Sequence, residues 1–223
     1  MAEHTDKTDP VAAARALLPE LAERASEMEA ARRLPADLAR TMAEAGVFQL
    51  VTPKRFGGLE ASPRVFVETV ETLSTANASA GWCCMIANTS ALNAAYMAPE
   101  EAEAIFDDPH VITGGVFAPM GRAFVEEGGY RITGRWQWGS GSANCAWLGG
   151  GCTVWENGEM RRLPSGAPDT LMAVFPAAEA TLLDTWHVMG LKGTGSGDIE
   201  VKDIFVPEGR CERLAEGNPR RRG

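Results

Sequence analysis

Two rhythms of apolar residues divide this chain. Up to about residue 108 the apolar positions recur every three or four residues, the spacing of one helix face. VAAARALLPELAERASEMEA predicts one amphipathic helix interrupted at Pro19. Leu34-Pro35-Ala36-Asp37 opens another, carrying Leu38, Met42 and Ala45 to a stop at Gly46. Ser62-Pro63 supplies a cap and a first-turn proline for a helix bearing Phe66, Val70 and Leu73. After Asn77 apolar residues run almost all round, with Trp82, Ile86 and Thr89 on one stripe and Met85, Leu92 and Tyr96 on the next. That predicts a buried helix with Trp82 in the core. Pro99-Glu100-Glu101 starts a last short helix ending near Phe106.

From Val111 the rhythm shortens. VITGGVF, RAFVEEGGYRITGRWQW, CAWLGGGCTVW, TLMAVF and DIEVKDIFVP are rich in β-branched and aromatic residues and are separated by glycine turns. Glu127-Gly128-Gly129-Tyr130 and Glu156-Asn157-Gly158-Glu159 read as hairpin turns. Ile199, Val201 and Phe205 are expected on one face of a strand, with Glu200 and Lys202 opposite. The predicted fold class is therefore α+β. An all-α domain (residues 1–108) precedes an antiparallel β-barrel or sandwich domain (109–210), and a disordered tail follows (211–223).

Composition narrows the function classes. The 223 residues carry a net charge of −9, which argues against general nucleic-acid or anionic-membrane binding. The basic run Arg220-Arg221-Arg222 is too short to reverse this. No apolar stretch has transmembrane length, and the polar, acidic start has no signal-peptide core. Five cysteines without a CxxC pair fit a reduced, cytoplasmic protein, with adjacent Cys83 and Cys84 a buried, inert pair. His4, His110 and His187 lie far apart without partners at ligand spacing, so no metal site is expected.

Gly190, Gly193, Gly195 and Gly197 crowd into eight residues. A dinucleotide-binding loop would open a helix, whereas here a strand follows. In the spacing of a P-loop, Ser196 stands where lysine is needed. The residues alone support a flexible turn between strands. Gly139-Ser140-Gly141 lacks the elbow of a serine hydrolase. Trp136 and Trp138, two residues apart, are expected on one face, as barrel core or as a wall for a bound ring.

One combination is more specific. Ala118-Pro119-Met120-Gly121 precedes a hairpin, Gly134-Arg135-Trp136-Gln137-Trp138-Gly139-Ser140-Gly141 follows it, and Asp184 through Ser196 (DTWHVMGLKGTGS) comes later. In this order, behind a helical half, these segments resemble the acyl-CoA dehydrogenase superfamily. Within it they are most similar to the flavin-dependent monooxygenase branch, the oxygenase components of two-component systems. The resemblance implies a flavin ring lying on the β domain, with Phe117 and Ala118 along one side and Trp138, Gly139, Ser140 and Gly141 along another. Ser140, the candidate catalytic residue, would donate a hydrogen bond near the reactive ring nitrogen. The tryptophans would keep the pocket dry.

The implied cofactor is reduced flavin, FMN or FAD. The implied partners are O₂, a flavin reductase and a small organic substrate. Family members carry a C-terminal four-helix bundle after the β domain, absent from these 223 residues, and a homo-oligomer is expected if such a bundle completes the chain. Aromatic hydroxylases of the branch often place a histidine shortly after the Gly-Trp of the buried helix, whereas Gly81-Trp82 here leads to Ala87-Asn88-Thr89-Ser90. Two alternatives stay open: an acyl-CoA dehydrogenase proper, and a non-catalytic fragment or interaction module.

Overall fold

A computed structural model describes residues 9–213; His4, the Arg220–Arg222 run and most of the expected tail lie outside them. Six α-helices come first: α1 (Pro10–Glu23), α2 (Ala25–Ala31), α3 (Ala36–Glu44), α4 (Pro63–Ala76), α5 (Ala78–Ala91) and α6 (Pro99–Ile105). The Asp9 carboxylate caps α1 through the Val11 amide at 3.0 Å. This helix continues through Pro19, whose exposed position leaves the carbonyl one turn back open to water. The interruption falls at Arg24 instead, between α1 and α2. Ser62 caps α4, as its sequence predicts, and Asn77 caps α5.

Helix α5 buries a different face from the expected one. Cys83, Cys84, Ala87, Asn88 and Ala91 point inward, while Trp82 is 40 % exposed. The reason is close packing of small residues: a Cβ on Gly81 would lie 2.0 Å from the Ser74 hydroxyl of α4. Asn88 is fully buried and fully used. Its Oδ1 accepts from the Leu50 and Val51 amides, and its Nδ2 donates to the carbonyls of Val47 and Cys84. It therefore ties the loop after α3 to the centre of the helical half.

Eight strands follow: β1 (Thr113–Glu126), β2 (Gly129–Trp136), β3 (Trp147–Glu156), β4 (Glu159–Met160), β5 (Thr170–Pro176), β6 (Thr181–Leu183), β7 (Asp198–Pro207) and β8 (Cys211–Glu212). They form one sheet in the order β6-β7-β2-β1-β3-β5-β8, with β4 paired to β3. The α+β division holds, but the β half is a mixed sheet and not the purely antiparallel barrel or sandwich expected, because β3 returns parallel to β1. Strand β8 also shows that the chain remains ordered past position 210, so the expected tail does not begin at Cys211. Gly128 closes the β1–β2 turn at φ 79°, and Asn157 and Gly158 close β3–β4 with both φ angles positive, the signature of a type I′ turn.

Strand β7 changes phase. Asp203 takes φ 57° at a bulge opposite Thr133, so Phe205 turns outward and Val206 takes the buried place expected for it. The sheet buries Trp136, Ile132, Leu148, Phe175 and Ile199, while the helices bury Leu21, Met28, Leu38, Met42 and Leu73. A third cluster around Phe56 and Phe106 reaches Val174 of β5 and joins the two halves.

Candidate functional site

The candidate residues gather at one end of the β1–β2 ladder. Strand β1 pairs with β3 through Val116↔Gly150 and resumes at Gly121↔Cys152, so Phe117-Ala118-Pro119-Met120 bulges out opposite Gly151 alone. Proline suits the bulge, where no ladder donor is required. Gly151 must lack a side chain, since a Cβ there would sit 2.2 Å from the Phe117 carbonyl oxygen. The bulge leaves Phe117 and Met120 48 % and 42 % exposed. The bulge ends at Gly121, against whose Cα Gly134 of β2 packs, two residues before Trp136.

Trp136 and Trp138 do not share a face. Trp136 is fully buried and donates its indole N–H to the Gly151 carbonyl at 2.7 Å. Trp138 takes φ 65° and is 64 % exposed. A left-handed backbone at a bulky residue costs about 1–3 kcal/mol and persists only where the surroundings hold it. Two hydrogen bonds do so, from the Ser140 amide to the Trp138 carbonyl at 2.9 Å and from the Gly139 amide to Gly197 at 2.8 Å. Gly139 packs on Ile199, which a Cβ would meet at 2.6 Å, and Gly141 makes the turn at φ 71°.

Ser140 is buried. The Trp82 indole donates to its hydroxyl at 2.9 Å, and its oxygen lies 2.7 Å from that of Ser196. Ser196 is in turn 2.6 Å from the Thr194 hydroxyl, which donates to the Leu191 carbonyl at 2.9 Å. The glycine-rich loop thus delivers a line of hydroxyls to Ser140. The same carbonyl also accepts from the Trp186 indole and the Thr194 amide, which holds Leu191 at φ 54°. Gly193 lets the loop settle on the helical half, where a Cβ would stand 3.1 Å from Ser79 and 3.2 Å from Met28. Sequence reading missed the link between Ser140 and Ser196, because no local pattern records a contact across fifty-six positions.

A clip secures the loop from the other side. The Arg32 guanidinium makes a bidentate pair with Asp184 at 2.6 and 2.7 Å and donates to the Trp186 carbonyl. Hydrogen bonds from Arg32 hold the Asp184 carboxyl below the usual range, against a smaller opposing effect of desolvation. His187 is exposed beside this clip. A cleft of about 360 Å³ lies between Arg32, Arg33, Asp184, Trp186 and Asp198. Cys83 and Cys84 are buried as expected, and burial pushes the Cys83 thiol up to about 12. Among the described residues no helix is long and apolar enough to cross a membrane.

Comparison with known proteins places this geometry. Residues 10–103 match the acyl-CoA dehydrogenase N-terminal domain. The chain is 34 % identical over 209 residues to the flavin-dependent monooxygenase oxygenase subunit HsaA of Mycobacterium tuberculosis, covering 93 % of this chain and 51 % of that protein. It superimposes on the crystal structure of the 3-HSA hydroxylase from Rhodococcus sp. RHA1 with a TM-score of 0.85 at 33 % identity, covering 93 % of this chain and 53 % of the other. Residues 10–103 thus form an acyl-CoA dehydrogenase N-terminal domain. XiaF from Streptomyces sp., solved in complex with FADH2 and glycerol, is a further structural neighbour at TM-score 0.82 and 32 % identity, over 92 % of this chain and 50 % of that one. The chain spans about half the length of the relatives it matches.

Proposed function

We propose that this chain forms the flavin-facing part of the oxygenase component of a two-component monooxygenase. In this reading it uses reduced flavin, FMN or FAD, and O₂ on a small organic substrate, with a separate flavin reductase as partner. The single observation that carries the reading is Trp138, an exposed indole on a left-handed backbone two residues before the buried Ser140, at the end of a strand whose partner β1 carries the exposed Phe117 bulge. The residues fit a flat ring with one polar edge. Phe117 and Ala118 line one side, and Trp138, Gly139, Ser140 and Gly141 line the other. Exposed aromatic faces suit ring stacking, and a partly exposed Trp82 adds apolar cover.

Bound reduced flavin would supply the electrons that activate O₂. The chain's own residues orient the ring, exclude water from its edge and hold a hydroxyl at the ring nitrogen. The relatives named as flavin-dependent monooxygenases, and the neighbour solved with FADH2, support this assignment. The helical half (1–108) and the β half, which runs from 109 through β8, act as two domains of a cytoplasmic protein that assembles as a homo-oligomer if a C-terminal helical bundle completes it.

An anaerobic titration of the full chain with FMN and FAD, each oxidised and reduced, tests the proposal. Micromolar binding that favours the reduced form, with O₂ consumed when a reductase is added, is the expected result. Bleaching of bound oxidised flavin by an acyl-CoA thioester would assign a dehydrogenase instead. No binding of either form would overturn the flavin reading.

A further inference from the structure

We infer that Ser196 and Thr194 are positioning residues that fix the direction of the Ser140 hydroxyl, so that Ser140 offers the flavin ring nitrogen a lone pair and no proton. This rests on the flavin placement proposed above. It also reverses the expectation that Ser140 donates to the ring.

The direction follows from counting protons. The Leu191 carbonyl can only accept, and of its three donors the Thr194 hydroxyl is the nearest, at 2.9 Å against 3.1 Å for the Trp186 indole and the Thr194 amide, so we assign the one Thr194 hydroxyl proton to it. In the 2.6 Å contact between Thr194 and Ser196 the donor must therefore be Ser196. Ser196 then has no proton left, and in the 2.7 Å contact with Ser140 the donor must be Ser140. Ser140 is left as an acceptor, and the Trp82 N–H fills one of its two lone pairs at 2.9 Å. One lone pair remains. Thr194, Ser196 and Ser140 are all buried, so bulk water is not there to break the sequence of donors.

A reduced flavin carries a hydrogen on the central-ring nitrogen, whereas an oxidised flavin presents a bare lone pair there. A hydroxyl that only accepts makes a hydrogen bond with the first and opposes the second. The glycine-rich loop thereby selects the redox state of the ligand without touching it. Its glycines set the path, and its two hydroxyls set the sign.

The test compares dissociation constants for oxidised and dithionite-reduced FMN and FAD on the full chain, anaerobically, in wild type, Ser196→Ala, Thr194→Val and Thr194→Ser. Wild type binds the reduced form more tightly. In Ser196→Ala the Ser140 proton is released to turn toward the ring. In Thr194→Val, Ser196 loses its acceptor and donates back to Ser140, with the same result. Both variants are expected to lose roughly tenfold of the preference for reduced flavin, mainly through tighter binding of the oxidised form. The midpoint potential of the bound flavin should fall with it, by about 30 mV for each tenfold in a two-electron couple. Thr194→Ser keeps the proton count and should keep the preference.

A purely structural role would weaken both redox forms alike and leave the ratio unchanged. An unchanged ratio in folded Thr194→Val or Ser196→Ala, or a wild type that prefers oxidised flavin, overturns the inference and leaves the flavin site standing. A wild type that binds neither form overturns the site itself, and the inference with it.

Discussion

Trp136 and Trp138 sit two residues apart at the end of one strand and live in opposite worlds. Trp136 fills a socket made of missing side chains: a Cβ on Gly121 or Gly150 would come within 2.4 Å of its ring, and one on Gly134 within 2.7 Å. Phe175 covers it at 5.9 Å between ring centroids, and its N–H is spent on a backbone carbonyl. Trp138 has a strained backbone and most of its surface bare. The difference teaches that glycine serves two purposes in this sheet. Around Trp136 it makes room for bulk, whereas beside Trp138 it permits the turns that push bulk outward. One tryptophan stabilises the fold and the other is held for a ligand.

Substitutions can break that contrast. Trp136→Ala should cost about 3–5 kcal/mol, the range for emptying a large aromatic site, read as the shift of a urea unfolding midpoint. Gly121→Ala attacks the same socket from the wall. Its new methyl would meet both the Trp136 ring and the Cys152 sulfur, 2.4 and 2.7 Å away, and should cost about 1–3 kcal/mol by the same measurement.

The socket also predicts a pH effect. Burial pushes the Cys152 thiol up to about 12, from about 8.5 in an unfolded chain. Below about pH 8.5 both states keep the proton, and the socket's stability is complete. As pH rises toward 12 only the unfolded chain ionises, so stability falls by up to ~1.4 kcal/mol per pH unit for this thiol. Cys152→Ser, compared with wild type across that range, should flatten the decline; parallel curves would refute it. Trp138→Ala closes the series. Its stability should change by no more than about 0.5 kcal/mol, because the residue is exposed. Flavin binding should weaken at least tenfold in titration, and a variant that binds as wild type would return Trp138 to the surface.

Much of this was readable beforehand. The helix cap at Ser62, the Asn-Gly turn and the switch from helical to strand periodicity are local signals, and the structure keeps them. The segments around Ala118, Trp138 and Ser196 are marked by resemblance, and the last two meet through Ser140 and Ser196. What escaped was set by packing at a distance. Trp82 turns to Ser140 of the β half and stays 40 % exposed, because α5 buries its small residues instead, Gly81 among them against α4. Phe205 flips because a bulge at Asp203 moves the strand by one position, which no alternation of apolar residues announces. The path from Leu191 to Ser140 depends on which proton each hydroxyl spends, and a list of residues carries no such count.

The parallel pairing of β1 with β3 bears on how the molecule comes together. The β1–β2 and β3–β4 hairpins close through two-residue turns and need only local search. Trp136 cannot enter its socket at that stage, because Gly150 and Phe175 arrive with β3 and β5. The largest buried side chain of the sheet is therefore added only after strands distant in sequence have found one another, a search that runs in milliseconds to seconds for sheets built on non-local pairs. Refolding should show an early gain of hairpin signal and a late change in tryptophan fluorescence, with the indole at 136 acting as the lock that is turned last.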